Sequence, residues 1–284
     1  MPQQVPDHNR QKKIAIINDF CGFGRCSIAV ALPIISAMHV QCCPLPTSIF
    51  SDHTGFDSFF YTDYTEHMQS YADEWTKLKL RFDGIATGFL GSARQIDLVK
   101  AFLQRFKTEK TRVLVDPVMG DYGKLYPTYT PELAGRMHEL LQYADLLTPN
   151  LTEACILAGE AYRENFTEQE LTGLCEKLAA HGPQQMVISG ISRGDFLGNF
   201  VYARGRTQML WCRRIGGYRS GTGDVFGAIL AADLVNGVEL AASVKKAADF
   251  IEKTIAYTAA LGIPPTDGIC IEQYLWELGK GNEI

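Results

Sequence analysis

The stretch from Gly217 to Gly227 (GYRSGTGDVFG) places glycines, a hydroxyl group and an acid directly before an apolar run. The apolar residues at 228–234 predict a helix whose first backbone N–H groups, at 221–224, have no partner within the helix. Such groups favour binding of an anion such as phosphate. Asp224 would either offset the helix dipole or orient an attacking hydroxyl as a base. On its own the motif fits an ordinary glycine-rich turn equally well.

More acids and amides follow predicted strands elsewhere in the chain. Asp116 and Asp121 come at and after the end of the apolar run 113–115. The carboxyl ends of parallel strands form the edge at which open α/β sheets bind ligands. Asn150 and Glu153 open a helix, and their spacing also fits a capping box, which is the simpler interpretation of that pair alone. The residues expected at this edge are Asn18, Asp116, Asp121, Asn150, Glu153, Ser189 and Asp224.

The elements that would position these residues alternate between apolar strands and amphipathic helices. Strands are predicted at 12–17, 39–45, 84–91, 113–121, 144–147 and 185–190, with an exposed hairpin at 196–203 and 207–214. Helices are predicted at 28–38, 64–80, 96–106, 131–143, from 150, at 167–181, after 224, at 240–260 and at 271–278. The segment 46–55, rich in hydroxyl and aromatic side chains, is expected to be a loop. The pattern predicts an α/β fold, a three-layer α/β/α sandwich with a mainly parallel sheet, as one domain over 1–284 with a polar tail at 1–11.

The composition and the absence of several known motifs argue against a number of protein classes. A net charge of -5 argues against a nucleic-acid partner. The eight cysteines form no C-x-x-C pair and the first 13 residues are polar, which favours a reducing cytoplasm with free thiols. No apolar stretch approaches the ~18 residues that cross a membrane. The absence of a Walker loop, a G-x-G-x-x-G motif and an H-x-x-x-H spacing argues against P-loop kinases, NAD enzymes and zinc centres.

Acids and a glycine-rich helix start at one sheet edge suit phosphoryl transfer. The transferred group needs backbone donors, Mg²⁺ needs carboxylates, and the acceptor hydroxyl needs an aligned base. We expect Asp224 to be that base. The backbone donors would be Gly221, Thr222 and Gly223, and the acids of the metal and phosphate environment would be Asp116, Asp121 and Glu153.

Several of these motifs resemble a known family. The sequence GTGD at 221–224 resembles the anion-hole motif of the ribokinase-like (PfkB) kinases. Four further stretches are similar to pyridoxal kinases and occur in that family's order: SDHTG at 51–55, TGFLGS at 87–92, DPVMGD at 116–121 and TPNLTE at 148–153. The resemblance implies a ribokinase-like fold and ATP-dependent phosphorylation of the 5′-hydroxymethyl group of vitamin B6 in pyridoxal phosphate salvage. It also implies Mg²⁺, commonly a monovalent cation such as K⁺, and a homodimer.

The resemblance also implies roles for individual residues. Those expected at the ATP site are Asp116, Tyr126, Thr148, Asn150, Glu153 and Ser189. Those expected at the metal are Asp116, Asp121 and Glu153. Those expected at the pyridine ring are Asn18, Thr47 and Phe89, with Asn18 and Thr47 setting the preference for a pyridine over a pyrimidine. The chain departs from the family at Asn18, usually serine, at Phe89, often tyrosine, at Pro46, usually asparagine, and at Arg25 and Cys26, usually Gly-Asn, which leaves the preferred vitamer open.

Three alternatives remain beside a pyridoxal kinase. A hydroxymethylpyrimidine kinase of thiamine synthesis would share the sheet and the GTGD motif, but it carries Gly-Gly-Ala-Gly where this chain has CGFGR at 21–25. A sugar kinase would carry early Gly-Gly and Asn-rich segments that are absent here. A non-catalytic B6-binding protein on the same scaffold would have no need of Asp224 as an aligned base.

Overall fold

The computed structural model describes residues 6–280, so the first five residues of the predicted polar tail lie outside the described part. The strands are β1 (Lys13–Phe23), β2 (Gln41–Asp52), β3 (Tyr61–Asp63), β4 (Gly84–Thr87), β5 (Arg112–Val115), β6 (Gly120–Asp121), β7 (Lys124–Leu125), β8 (Leu146–Leu147), β9 (Gln185–Arg193), β10 (Phe196–Ala203) and β11 (Arg206–Arg213). The α-helices are α1 (Ser27–Ala37), α2 (Thr65–Lys77), α3 (Ala93–Phe106), α4 (Pro131–Arg136), α5 (Leu151–Ala158), α6 (Glu168–Ala179), α7 (Thr222–Asn236), α8 (Leu240–Ala260) and α9 (Leu275–Leu278). Within residues 6–280, no helix is both long and apolar enough to span a membrane.

One large sheet forms the centre of the fold. Its strand order is β11-β10-β9-β8-β5-β4-β1-β2-β3. The six strands from β9 to β2 pair in parallel, whereas β3 and the β10–β11 hairpin pair in antiparallel fashion at the two ends. This confirms the predicted mainly parallel sheet with a late hairpin. Because the parallel strands share a direction, their carboxyl ends meet along one edge.

Helices cover both faces of the sheet because successive residues of a buried strand point to opposite sides. Ala15 and Ile17 of β1 belong to an apolar cluster that includes residues of α2 to α6. Ile14 and Ile16 belong to a second cluster that includes residues of α1, α7, α8 and α9. The three-layer α/β/α arrangement is therefore confirmed. It places the starts of α1 and α7 on the same face.

Several predicted boundaries are wrong. Strand β1 continues past residue 17 to Phe23, and β2 continues past 45 to Asp52, because the two extensions pair with each other after a register shift between Asn18 and Phe20. Residues 46–52 are thus strand, not loop, and β2 also pairs with β3. The apolar segment 113–121 ends its strand at Val115.

Two other sequence expectations also differ from the structure. The β10 strand is mostly buried within the sheet, not exposed. The predicted helix 131–143 becomes a 3₁₀ helix from residue 137, and the last helix begins only at 275. A small hairpin, β6–β7, was not predicted.

Candidate active site

Helix α7 begins at a conformation that only glycine adopts without strain. Gly221 precedes the helix with φ +77°, and a Cβ on it would lie 2.0 Å from the carbonyl oxygen of Arg25. Among the described residues, no side chain caps the helix. The N–H groups at 221–224 are therefore available to an anion, as the sequence predicts.

Asp224, in that first turn, is held from two other elements. The side-chain amide of Asn18 donates a 3.3 Å hydrogen bond to its Oδ1. The backbone N–H of Ser27, at the start of α1, donates another. Burial raises the pKa of Asp224, while these two hydrogen bonds and the nearby His53 lower it. A carboxyl group with a raised pKa is a stronger base than an exposed aspartate.

Asn18 is itself fixed by the backbone around it. Its Oδ1 accepts hydrogen bonds from the N–H groups of Phe89 at 2.7 Å and Asp19 at 2.9 Å. Its side chain lies across Gly88, where a Cβ would come within 2.4 Å of the Asn18 Cγ. The carboxamide is buried and its orientation follows from these contacts.

The predicted ring-binding residues come together next to Asp224. Thr47 is fully buried, and its hydroxyl donates a 2.9 Å hydrogen bond to the Phe89 carbonyl. The Phe89 ring packs edge-on against Phe50 and Tyr129, at centroid distances of 6.2 and 5.9 Å. A cleft whose polar lining residues include Asn18, Asp116 and Asp224 adjoins this group. Their contact with a ring stays a prediction.

The charges of Glu153 and Asp224 repel the Asp116 carboxylate at this edge. Burial is the main cause of the raised pKa of Asp116, followed by the charges of Glu153 and Asp224. A Cβ on Gly227 of α7 would lie 3.7 Å from the Asp116 Oδ2, so this carboxyl group faces the helix that carries Asp224. Crowded carboxylates of this kind favour a nearby cation.

The acids do not by themselves enclose a metal. Within residues 6–280, no three His, Cys, Asp or Glu side chains converge closely enough to hold a metal ion. Mg²⁺ commonly takes one or two carboxylates and completes its octahedron with water and substrate phosphates. The carboxylate donors present fit that coordination pattern.

Glu153 forms the predicted capping box at the start of α5. Its Oε2 accepts the N–H of Asn150 at 2.8 Å, and the Asn150 Oδ1 accepts the N–H of Glu153 at 3.0 Å. Its other oxygen accepts the N–H of Met119 at 3.0 Å, next to the β6–β7 hairpin that carries Asp121. Burial raises its pKa to about 8 although these N–H groups favour the ionised form. The capping interpretation is confirmed, and metal ligation stays a prediction.

The predicted nucleotide residues lie at the ends of β5 and β8, within β9 and beside β7. Thr148 is buried, and its hydroxyl has no hydrogen-bond partner among the described residues. Asn150 and Ser189 form a parallel bridge. Burial, Glu153 and Asp121 raise the pKa of the Tyr126 phenol, which places its hydroxyl near the acids. A buried hydroxyl without a partner at a ligand edge is available to a bound group.

Asp19 and Ser27 belong to this site although they were not among the predicted residues. Burial, and next the charge of Asp224, raise the pKa of Asp19 to about 6. Ser27 contacts both acids, with its hydroxyl on Asp19 and its backbone N–H on Asp224. Asp19 could have been found from the sequence, because it is an acid directly after Asn18 at the end of the predicted first strand. No local signal marks Ser27, since its role depends on a left-handed backbone with φ +55°.

His53 also belongs to this site and was not predicted. Its ring accepts the Gly55 N–H at Nδ1, over 3.0 Å. Its Nε2 therefore carries the proton and donates to the Thr266 carbonyl oxygen at 2.7 Å. The ring lies close enough to Asp224 that the charge of a doubly protonated His53 would lower that carboxyl group's pKa.

Comparisons with known proteins point to one group of enzymes. The profile of the phosphomethylpyrimidine kinase family matches residues 32–267. A Bacteroides thetaiotaomicron protein assigned as a phosphomethylpyrimidine kinase is 35% identical, with a TM-score of 0.94 over 98% of this chain and 97% of its own. A second crystal form of it, with pyridoxal, gives a TM-score of 0.91 at 35% identity over 95% and 96%.

Two further relatives carry different names. The pyridoxal kinase of Arabidopsis thaliana is 29% identical over 244 residues, which is 78% of this chain and 76% of its own length. The hydroxymethylpyrimidine/phosphomethylpyrimidine kinase of Haemophilus influenzae is 33% identical over 181 residues, 62% of this chain and 65% of its own length.

Proposed function

The chain belongs to the phosphomethylpyrimidine kinase family, and within it we propose that this protein is a pyridoxal kinase, which phosphorylates the 5′-hydroxymethyl group of vitamin B6 with ATP. One observation carries the proposal: Asp224, at the open N-terminus of α7, adjoins the group formed by Asn18, Thr47 and Phe89. The proposed base, the proposed anion site and the residues predicted at the ring therefore lie at one edge. The related Bacteroides protein crystallised with pyridoxal supports the choice of a pyridine ring.

The residues of this chain divide the work of phosphoryl transfer. Asp224 orients the acceptor hydroxyl and takes its proton, helped by the burial that raises its pKa. The backbone N–H groups of Gly221, which is the N-cap of α7, and of Thr222 and Gly223 stabilise the negative charge of the transferred group. Because these donors are backbone groups fixed by the helix, they need no rearrangement during the reaction.

We assign the nucleotide to the edge formed by β5, β8 and β9. Asp116, Thr148, Asn150, Glu153 and Ser189 would surround its phosphates, and Tyr126 would lie over the nucleotide. Mg²⁺, when bound, neutralises phosphate charge, and Asp116 and Asp121 would hold it while Glu153 fixes the hairpin beside them. A monovalent cation such as K⁺ at the same acidic edge is part of the proposal.

We also propose a homodimer in the cytoplasm. Apolar side chains at the β1–β2–β3 end of the sheet are exposed, including Phe23 at 56%, Phe60 at 71% and Tyr61 at 54%. Such a group of exposed side chains supports an interface with a second copy. Sedimentation equilibrium of the protein and of a Phe60→Asp variant tests the dimer, since the variant should sediment as a monomer.

The eight cysteines are free, which supports the proposed location in a reducing compartment, the cytoplasm.

A second candidate is a hydroxymethylpyrimidine kinase, supported by the family profile and by the Haemophilus relative.

The proposed pyridoxal kinase activity is tested by incubating the purified protein with ATP, Mg²⁺ and pyridoxal and locating the phosphate by ³¹P and ¹H NMR. The expected product carries the phosphate on the 5′-oxygen. Absence of turnover with every B6 vitamer would refute the proposal.

A further inference from the structure

The hydrogen bonds of Asn18 leave it little capacity to recognise a substrate ring. Its carboxamide oxygen has two lone pairs, and two backbone N–H groups, those of Asp19 and Phe89, occupy them. One hydrogen of its amide nitrogen is directed at Asp224. A single N–H hydrogen therefore remains, so Asn18 cannot act as an acceptor for a ring group while this arrangement holds.

The same contacts restrict Asp224. Asn18, on β1, and Ser27, on α1, each direct an N–H group at its carboxylate. Ser27 reaches it with φ +55°, a conformation that non-glycine residues adopt only when surrounding contacts enforce it. Its hydroxyl is bonded to Asp19, which helps to keep the serine in place. Two elements that are distant from α7 in sequence thus set the orientation of one carboxylate.

We propose that Asn18 is a positioning residue that holds the Asp224 carboxylate toward the acceptor hydroxyl, and that it does not select the ring. The inference rests on the proposed phosphotransferase function. A misdirected carboxylate still allows the substrate to bind, but it removes the aligned base from the reacting hydroxyl. Loss of Asn18 should therefore lower kcat and leave substrate affinity nearly unchanged.

Two substitutions separate this role from simple support of the backbone. Asn18→Asp keeps the size and an acceptor oxygen for the N–H groups of Phe89 and Asp19, but it replaces the donor to Asp224 with a second carboxyl group, which repels the Asp224 carboxylate when ionised. Asn18→Ala loses all three bonds. We expect both variants to lower kcat by about 10- to 100-fold, the range typical of a hydrogen bond to a charged group. The KM for pyridoxal, and its Kd measured by calorimetry, should change by less than about threefold.

Combination with Asp224→Asn gives the decisive comparison. If Asn18 acts through Asp224, Asn18→Ala should cause no further loss of kcat in the Asp224→Asn background. An equal loss in both backgrounds, or a raised Kd with unchanged kcat, would overturn the proposal. Asn199→Asp is the matched control, because Asn199 is also a buried asparagine and lies on β10 away from Asp224. It should leave kcat unchanged, and a comparable fall would count against the proposal.

The test also separates this inference from the proposed function. If the unmodified protein phosphorylates hydroxymethylpyrimidine and no B6 vitamer, the proposed function fails, and the same variants are compared with the pyrimidine. A crystal structure of the Asn18→Ala variant provides a readout independent of activity. We expect the Asp224 carboxylate to adopt a different or mixed orientation, and an unchanged single orientation would overturn the inference.

Discussion

The backbone of Gly221 packs so closely against Arg25 that a Cβ at 221 would lie 2.0 Å from the Arg25 carbonyl oxygen. Because φ at Gly221 is also +77°, Gly221→Ala should lower the free energy of unfolding by more than the ~1–3 kcal/mol typical of backbone strain. Gly223→Ala is the matched control, since nothing lies within 4 Å of the position that its methyl group would take. Calorimetry should show a lower Tm for the first variant only, and equal Tm values would contradict this packing argument.

Asp224→Asn should remove most of the turnover. The amide keeps the shape of the carboxylate but cannot accept a proton from the hydroxyl, and a general base typically contributes ~10²–10⁴-fold in rate. The affinity for ATP should be nearly unchanged, because the backbone N–H groups of α7 remain. Steady-state kinetics and ATP binding by calorimetry check both parts. Turnover near that of the unmodified protein would exclude Asp224 as the base.

Glu153→Gln should both destabilise the fold and raise the Mg²⁺ concentration needed for half-maximal rate. Both Glu153 oxygens accept backbone N–H groups, and the amide can serve only one of them. A buried donor left without a partner costs about 1–3 kcal/mol. The lost charge should also weaken cation binding at the edge with Asp116 and Asp121.

Glu170→Gln provides the control for Glu153→Gln. Glu170 occupies the same position of the capping box at the start of α6, on a more exposed helix start. This variant should leave the Mg²⁺ titration unchanged. If Glu153→Gln changes Tm but gives an Mg²⁺ curve superimposable on that of the unmodified protein, Glu153 serves only as a helix cap.

Asp19 should make the fold less stable as pH rises. Its pKa is raised from 3.8 to about 6, so its contribution to stability is present below pH 3.8 and is lost as pH rises through 6. The shift corresponds to about 3 kcal/mol. Asp19→Asn removes this titration, so the Tm of the variant minus that of the unmodified protein should become more positive between about pH 4 and pH 7. A Tm difference between the two proteins that does not change with pH would contradict the raised pKa of Asp19.

The sequence was sufficient for the layered fold and for four acids of the site, Asp116, Asp121, Glu153 and Asp224, because both depend on local patterns. Apolar periodicity marks the strands and helices, and the GTGD stretch marks the start of α7. The extensions of β1 and β2 could not be predicted, since Phe50 is strand through its pairing with Cys21 and Tyr61, which are distant in the chain.

Within the site, sequence patterns identified residues better than they identified contacts. The capping box of Glu153 follows from its spacing to Asn150, but its bond to Met119 depends on how β6–β7 folds back. The place of Asn18 at the ring stays a prediction, but its hydrogen bond to Asp224 was not predicted. That contact requires β1 and α7 to meet, which no local pattern encodes.

The substrate preference distinguishes a pyridoxal kinase from a hydroxymethylpyrimidine kinase. We would measure kcat/KM for pyridoxal, pyridoxine, pyridoxamine and hydroxymethylpyrimidine with ATP and Mg²⁺ under identical conditions. Thr47 is the remaining predicted polar group at the ring, since Asn18 is bonded to the backbone and to Asp224. A buried polar group left without its partner separates two similar heterocycles by roughly tenfold or more, so the pyrimidine should rank last by at least that factor. A kcat/KM for hydroxymethylpyrimidine equal to or above that of the best B6 vitamer would contradict the assignment as a pyridoxal kinase.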